Sequence, residues 1–561
     1  MERKIGVYVC ECGPNIAEKV DIDKVLNAVS SLEGVAVAEK YKLLCSVDGK
    51  KFLEDEIKKH GLTHLVVSAC SPKQHEQTFM EVCENAGINP YLFQLANIRE
   101  QCAWITEDKD EATEKAIRLT KAAIRRVRYH SSLEKKEIEC NPDVLVIGGG
   151  VAGIEASLQL ASSDRKIYLV EKNSSLGGLI TNFEKTFPNM KPTSDIIKQK
   201  IQDIAENENI KVFTDAEVEE VIGFFGNFEV KIKKKTEENN VVEFDVGAVV
   251  LATGSASFDP KKTPGYGYGK FDDVFTALEF EKMNSSGKIS LKNGKAPKSV
   301  AIIHCVGREE KGYCSEICCM YSLKFACYLK DKIPGVKVSH FYSDLCIPGK
   351  SCQKFYEKTT EKNVDFIRAT DVEVIKQGDK INIKYKAENN SKNSHPVDMV
   401  ILSPAIEPTS DTSRLAEITS ISQSDGGFFA EEHEKLGPVS TSTDGVYIVG
   451  CAQGPKNISE TIVQSEAAAG KILSSLVPGR KIEPEVKTSQ ISESFCIGCK
   501  TCISVCPYGA ITFDETKKIS VVNEVICRGC GSCTAACPSG AATLKHFTFN
   551  QLYQEIVEAV Q

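Results

Sequence analysis

Two cysteine runs near the C-terminus carry the strongest chemical signal in the sequence. Cys496-x-x-Cys499-x-x-Cys502-x-x-x-Cys506-Pro507 is followed by Cys527-x-x-Cys530-x-x-Cys533-x-x-x-Cys537-Pro538. Three thiolates two residues apart can wrap one face of a [4Fe–4S] cubane. In the two-cluster arrangement the fourth Cys, before Pro, crosses to the other cluster. Cys496, Cys499, Cys502 and Cys537 are therefore expected to hold one cluster, and Cys527, Cys530, Cys533 and Cys506 the other. Zinc sites draw their four ligands in pairs rather than from three-plus-one runs. A disulfide framework fits no better: the chain has 23 Cys, an odd number, and its N-terminal apolar run is too short for an export signal.

A third group comprises Cys305, Cys314, Cys318 and Cys319, with one pair adjacent. The C-x-x-C of thioredoxin-type dithiols is absent, so an unusual [4Fe–4S] site is expected, with a redox disulfide as the alternative. Cys10, Cys12, Cys45 and Cys70 follow strand-like apolar runs. For them metal binding and simple burial are both open. Cys83 and Cys102 read as core residues, and Cys346 and Cys352 are left unassigned.

These residues need elements to position them. In residues 1–140, apolar runs at 5–10, 35–39, 64–69 and 91–95 alternate with helical patterns at 22–30, 51–60 and 74–86. That alternation predicts an α/β domain with a parallel sheet, whose ligands gather at the carboxyl ends of its strands. A basic helix at 111–128 leads to a linker at Cys140-Asn-Pro142.

Residues 141–480 open on Asp143-Val-Leu-Val-Ile-Gly148-Gly-Gly150-Val151-Ala152-Gly153, a strand running through glycines into a helix. The next strand, 166–170, ends in Glu171-Lys172. This is a dinucleotide fingerprint in its required context: glycines for the tight turn, a helix N-terminus for the pyrophosphate, and an acid for the ribose hydroxyls. Three further stretches favour FAD over NAD. Leu176-Gly177-Gly178-Leu179 follows the acidic strand. Ala252-Thr253-Gly254 ends a returning strand. Thr443-Asp-Gly-Val-Tyr-Ile-Val-Gly450 matches the late strand that closes on a flavin, with Cys451 where such proteins usually have Asp. A second nucleotide unit would carry its own Gly-rich turn. Here the strand 299–305 runs into Val306-Gly307-Arg308 and then the third cysteine group, so NAD(P)H is not expected to be the direct hydride donor.

The fold expected is α/β: a Rossmann-like FAD domain of the thioredoxin-reductase type (141–480), an N-terminal α/β domain (1–140) and a C-terminal two-cluster ferredoxin-like α+β domain (481–561). With 561 residues, 42% hydrophobic and 26% charged, the composition is that of an ordinary soluble protein. A net charge of −8 gives no reason to expect nucleic acid or a membrane surface, and no apolar run approaches the ~18 residues of a membrane span. A cytoplasmic location is expected. The linker near 478–490 suggests a mobile tail, and 547–560 reads as a helix with Tyr553, Ile556, Val557 and Val560 on one side.

The motifs resemble one family, the A-type subunits of heterodisulfide reductase, which carry flavin and iron–sulfur clusters in methanogens and related anaerobes. The resemblance spans nearly the whole chain. It rests on Cys10-Glu-Cys12-Gly, Ser68-Ala-Cys70-Ser-Pro, Ala96-Asn-Ile-Arg-Glu-Gln-Cys102, the fingerprint and Thr186-Phe-Pro188. It continues with Tyr313-Cys-Ser-Glu-Ile-Cys-Cys-Met-Tyr321, Gly450-Cys-Ala-Gln-Gly-Pro455 and the ferredoxin tail. It implies flavin-based electron bifurcation or confurcation, one path leading to ferredoxin and the other to a disulfide acceptor. The implied partners are other subunits of that complex, a hydrogenase or formate dehydrogenase module and ferredoxin, with a homodimer inside the larger assembly. Carried over by motif, the unusual cluster maps to Cys305, Cys314, Cys318 and Cys319, a flavin-proximal Lys to Lys324, and an acid facing the flavin to Glu281. A surface ion pair is the plainer reading of those last two. The chain departs from the family at 189–195, where many members carry a Cys-x-x-Cys, and at 231–240, a polar hairpin where many insert a second ferredoxin module. Two other functions stay open: an NAD(P)H-dependent flavin disulfide reductase, and a non-catalytic electron-relay scaffold.

Overall fold

The computed structural model describes residues 3–235, 241–378 and 380–560, which form two compact units: Met1–Ile138 with Glu483–Gln561, and Glu139–Ile482. In the first, strands form a parallel sheet in the order Val35–Tyr41, Ile5–Cys10, His64–Ala69, Phe93–Asn97. The two central strands are buried throughout because helices cover both faces. Lys109–Val127 packs Ala123 and Val127 against Val7 and Val66. On the other face, Val47–His60 and Pro72–Ala86 pack Leu53, Phe79 and Val82 against Tyr8.

The C-terminal tail belongs to this same unit. It is built from two antiparallel pairs, Ser489–Ile491 with Ala542–Leu544 and Ile511–Asp514 with Ile519–Val522. The mobile tail expected from the linker is corrected here: the tail is docked. Its last helix, Phe549–Val560, lies along Lys109–Val127 and presents its polar side, not the apolar stripe that periodicity suggests. Arg126 binds Glu555 at 2.6 Å and the His546 carbonyl at 3.0 Å, while Arg125 meets Glu558 at 2.5 Å. The basic helix supplies the reason, since its arginines need acidic partners. Tyr553, Ile556 and Val560 are left exposed. Arg126→Ala removes two charge-assisted bonds and a cation–π contact with Phe547. It is expected to weaken tail docking by about 1–3 kcal/mol, read as faster amide hydrogen exchange confined to the tail.

The second unit is built on two sheets. A five-stranded parallel sheet runs Val446–Ile448, Ala248–Leu251, Val144–Ile147, Ile167–Val170, Ile210–Phe213, with an antiparallel meander inserted at 216–246. Asn227–Lys234 and Val241–Val246 are two strands of that meander and pair with each other; residues 236–240 of the expected hairpin lie outside the described residues. The second sheet has seven strands in the order Val274–Thr276, Met399–Pro404, Ser299–Val306, Lys337–Tyr342, Val364–Gln377, Lys380–Ala387, Lys392–Val397. Its third strand, Ser299–Val306, leads on to the helix Cys318–Lys332. The connection passes through a short helix, Arg308–Lys311, with Cys305 at the end of the strand, Cys314 in the connection, and Cys318 and Cys319 opening the second helix.

Candidate functional site

The fingerprint folds as its glycines require. Gly148 has φ +110, and a Cβ there would lie 2.4 Å from the Ala252 carbonyl oxygen. A Cβ on Gly153 would lie 1.8 Å from the Gly148 carbonyl oxygen. Gly150 and Gly254 face open space, and Gly177 bridges back to Gly150. The helix Val151–Leu160 has no side-chain cap, so its first amides are free for an anion. The Thr253 Oγ1 at the end of the returning strand is buried without a partner in the protein. An uncapped helix end, an open glycine cradle and an orphaned hydroxyl fit a dinucleotide such as FAD.

Glu171 is only 5% exposed and grips the loop itself. Its Oε2 accepts from the Gly149 amide at 2.7 Å, and its Oε1 accepts from the Asn173 amide and side chain. Lys172 turns instead to Asp411 at 3.4 Å. Gly450 sits against Ala152 at the start of the fingerprint helix. Cys451 donates its thiol to the Lys456 carbonyl at 3.4 Å, and burial pushes its pKa up. It is therefore a neutral donor where related flavoproteins have a carboxylate.

Cys305, Cys314, Cys318 and Cys319 are brought together at the carboxyl end of Ser299–Val306. Cys305 holds a left-handed φ of 58°, a strained turn for a residue with a side chain. Cys318 donates to Cys319, so Cys319 is held low and Cys318 high. The Cys346 amide points at the Cys319 Sγ at 3.4 Å, and its own thiol lies near Cys314 and Cys319. Sequence reasoning leaves Cys346 unassigned; the available signal is its place just past Lys337–Tyr342, the strand beside Ser299–Val306. His304 also escapes it. This residue is 3% exposed, bonds His340 through Nε2 at 2.7 Å and reaches Cys319. Four thiols converging without a disulfide, with a backbone amide aimed at one sulfur, fit a cubane better than a dithiol.

Six residues beyond Cys318 on the same helix, Lys324 meets Glu281 of Ala277–Ser285. The pair is buried, 4% and 1% exposed, with Nζ 3.0 Å from Oε1. That excludes a surface ion pair. Lys324 also donates to the Lys185 carbonyl, and Glu281 Oε1 accepts from the Glu184 amide. Burial lowers the Lys324 pKa against the attraction of Glu281, and Glu281 Oε2 is buried without a partner.

In the other unit Cys10, Cys12, Cys45 and Cys70 do gather at one sheet edge. Cys10 is a close electrostatic neighbour of Cys12 and Cys45, and Cys70 of Cys45. Arg99 stands among them, 3.7 Å from the Cys12 Sγ. Cys83 and Cys102 are fully buried, as expected of core residues. In the tail, Cys499 neighbours Cys537, and Cys502 neighbours Cys496 and Cys499, which matches the expected crossover. Cys506, Cys527, Cys530 and Cys533 line one cavity. Amides of Ser489, Ala510 and Ala542 point at Cys527, Cys506 and Cys537 at 3.3–3.4 Å. Both sets fit cubanes, whose potentials respond to such amide–sulfur bonds.

A family described as pyridine nucleotide-disulphide oxidoreductase matches residues 142–469, and the 4Fe-4S dicluster domain matches 495–541. The chain is 38% identical to the second A-type iron-sulfur subunit of CoB–CoM heterodisulfide reductase from Methanopyrus kandleri, covering 100% of this chain and 99% of that protein. It is 37% identical to the A-type subunit of the H2:CoB-CoM heterodisulfide,ferredoxin reductase of Methanothermobacter marburgensis, over 92% of this chain and 91% of that one. It is 34% identical to the A-type subunit of the H2/formate:CoB-CoM heterodisulfide,ferredoxin reductase of Methanococcus maripaludis, over 91% of each.

Proposed function

The chain belongs to the family of A-type subunits of heterodisulfide reductase, and from that premise we propose that it bifurcates or confurcates electrons inside a heterodisulfide-reductase-type complex. It is an oxidoreductase that joins a thioredoxin-reductase-type flavin fold to a 4Fe-4S dicluster domain. FAD, when bound, supplies two-electron chemistry, and the clusters supply one-electron steps. The names of the relatives supply the partner classes: a hydrogen- or formate-oxidising module, ferredoxin and a disulfide-reducing protein.

One observation carries this reading. Cysteines, not a Gly-rich turn, line the connection from Ser299–Val306 to Cys318–Lys332, and the helix that Cys318 and Cys319 open buries Lys324 against Glu281. In this reading Gly148, Gly150, Gly153, Gly177, Gly178 and Gly254 give the pyrophosphate room, and the amides of Val151 and Ala152 meet its charge. Lys324 holds a positive charge in a site shielded from water, and Glu281 Oε2 is free to take a proton. Cys305, Cys314, Cys318 and Cys319 hold a cluster close to that charge, and the eight tail cysteines hold two more. The strand-end set Cys10, Cys12, Cys45 and Cys70 holds a fourth.

The test is anaerobic mixing of the purified chain with NADH or NADPH and no partner. The flavin absorbance is expected to persist for minutes. Rapid bleaching would instead favour a stand-alone pyridine-nucleotide reductase. With partners restored, reduction of ferredoxin is expected only while a disulfide acceptor is also present; ferredoxin reduction without it would rule out bifurcation.

A further inference from the structure

One cluster of ligating groups contains no cysteine. Glu39, Glu56 and His60 bring one ligand atom each to within 4.8 Å of one another. Glu39 lies on the edge strand Val35–Tyr41, and its register partner across the sheet is Tyr8. Glu56 and His60 are one turn apart on Val47–His60, so both project from the same side of that helix. Strand register and helix periodicity thus aim four side chains at one point.

The polar atoms there are short of partners. Tyr8 is 0% exposed, and its hydroxyl has no hydrogen bond. Glu56 Oε2 and His60 Nε2 are likewise buried without one. These two lie 3.1 Å apart yet form no hydrogen bond of good geometry. That is close to the spacing of about 3 Å between neighbouring ligand atoms on one zinc-sized ion. Lys59 takes only the other oxygen, Glu56 Oε1, at 2.7 Å. Among the described residues Glu39 forms no salt bridge, so one lysine faces two carboxylates.

We propose that Glu39, Glu56 and His60 bind one divalent cation of the manganese, iron or zinc class, with the Tyr8 hydroxyl facing the ion. Two carboxylate oxygens and one imidazole nitrogen, without sulfur, select that class over a soft metal. One lysine leaves a net negative charge that attracts a cation, and an ion-bound water gives the Tyr8 hydroxyl a partner. The site clamps the edge strand to the helix. Its two glutamates also flank the segment 42–46, which carries Cys45 and whose Lys42 carbonyl meets the Cys10 Sγ.

Mn2+ is the probe, because thiolates compete for it poorly. The full chain, prepared anaerobically and dialysed against EDTA, is titrated with Mn2+ and followed by pulsed EPR. The expected result is about one tightly held Mn2+ per chain, with nitrogen modulation from an imidazole. In His60→Gln the modulation disappears, and in Glu39→Gln affinity falls by about tenfold or more. Unchanged circular dichroism shows that each variant is folded, and unchanged flavin content that the other unit is intact. No bound Mn2+ in the wild type, or binding that is the same in His60→Gln, would overturn the site.

Discussion

Lys324→Ala is expected to lower the stability of the 139–482 unit by about 3–5 kcal/mol, because it strands a buried carboxylate. Glu281 would keep its bond from the Glu184 amide and lose the one cation that lies within ion-pair distance among the described residues. The Lys185 carbonyl would lose a donor as well, though Tyr328 also approaches it. Removing both charges should behave differently. In Lys324→Met with Glu281→Leu no charge is left unpaired, and replacement of a buried pair by apolar groups of similar size is often neutral or stabilising. Denaturant unfolding of the two variants separates these outcomes. Function is then read on the double variant, which keeps the fold. If the pair stands beside the flavin ring, the flavin midpoint potential shifts in that variant. An unchanged potential assigns the pair to structure alone.

The fingerprint glycines should fail in two distinct ways. Gly153→Ala places a methyl 1.8 Å from the Gly148 carbonyl oxygen and 3.2 Å from a Val146 methyl. Both belong to the strand and turn, which cannot yield cheaply, so the turn and helix must move apart. Overpacking of this kind costs about 1–3 kcal/mol or more, and the variant is expected to purify without flavin and with a lowered melting temperature. Gly150→Ala meets no atom within 4 Å, and its extended backbone suits any residue. It is expected to fold normally and to bind FAD at least about tenfold more weakly, since the methyl occupies the space the pyrophosphate needs. Fluorescence titration of the flavin-free proteins measures both. Equal FAD affinity in Gly150→Ala and wild type would remove the fingerprint from the binding site.

Much of this architecture is legible in the sequence, for local reasons. Strands such as Ile5–Cys10 and Val144–Ile147 are short apolar runs punctuated by Cys or Gly, and they pair in parallel as alternation with helices requires. The cysteine spacing announces the tail clusters without any tertiary information. What escapes depends on strand order and register. Cys346 joins the third cysteine group only because Lys337–Tyr342 lies beside Ser299–Val306. Glu171 also grips the Gly149 amide, which no spacing reveals. The depth of Lys324 and Glu281 is set by the packing of two helices, their side chains 43 residues apart in sequence, so spacing alone leaves a surface pair equally open. The last helix shows the limit of periodicity. Its apolar stripe does not say which face docks, and the arginines of Lys109–Val127 select the acidic one.

Cys305, Cys314, Cys318 and Cys319 are held here to bind a cluster beside the flavin fold rather than to form a redox disulfide, and the proposed electron path depends on it. Anaerobic iron and acid-labile sulfide, counted per flavin in the wild type and in Cys314→Ser with Cys318→Ser, test it most directly. The double variant is predicted to lose about four irons and four sulfides while keeping its FAD, the roughly eight irons of the tail and the roughly four of the strand-end set. Identical iron and sulfide in the two proteins would contradict it.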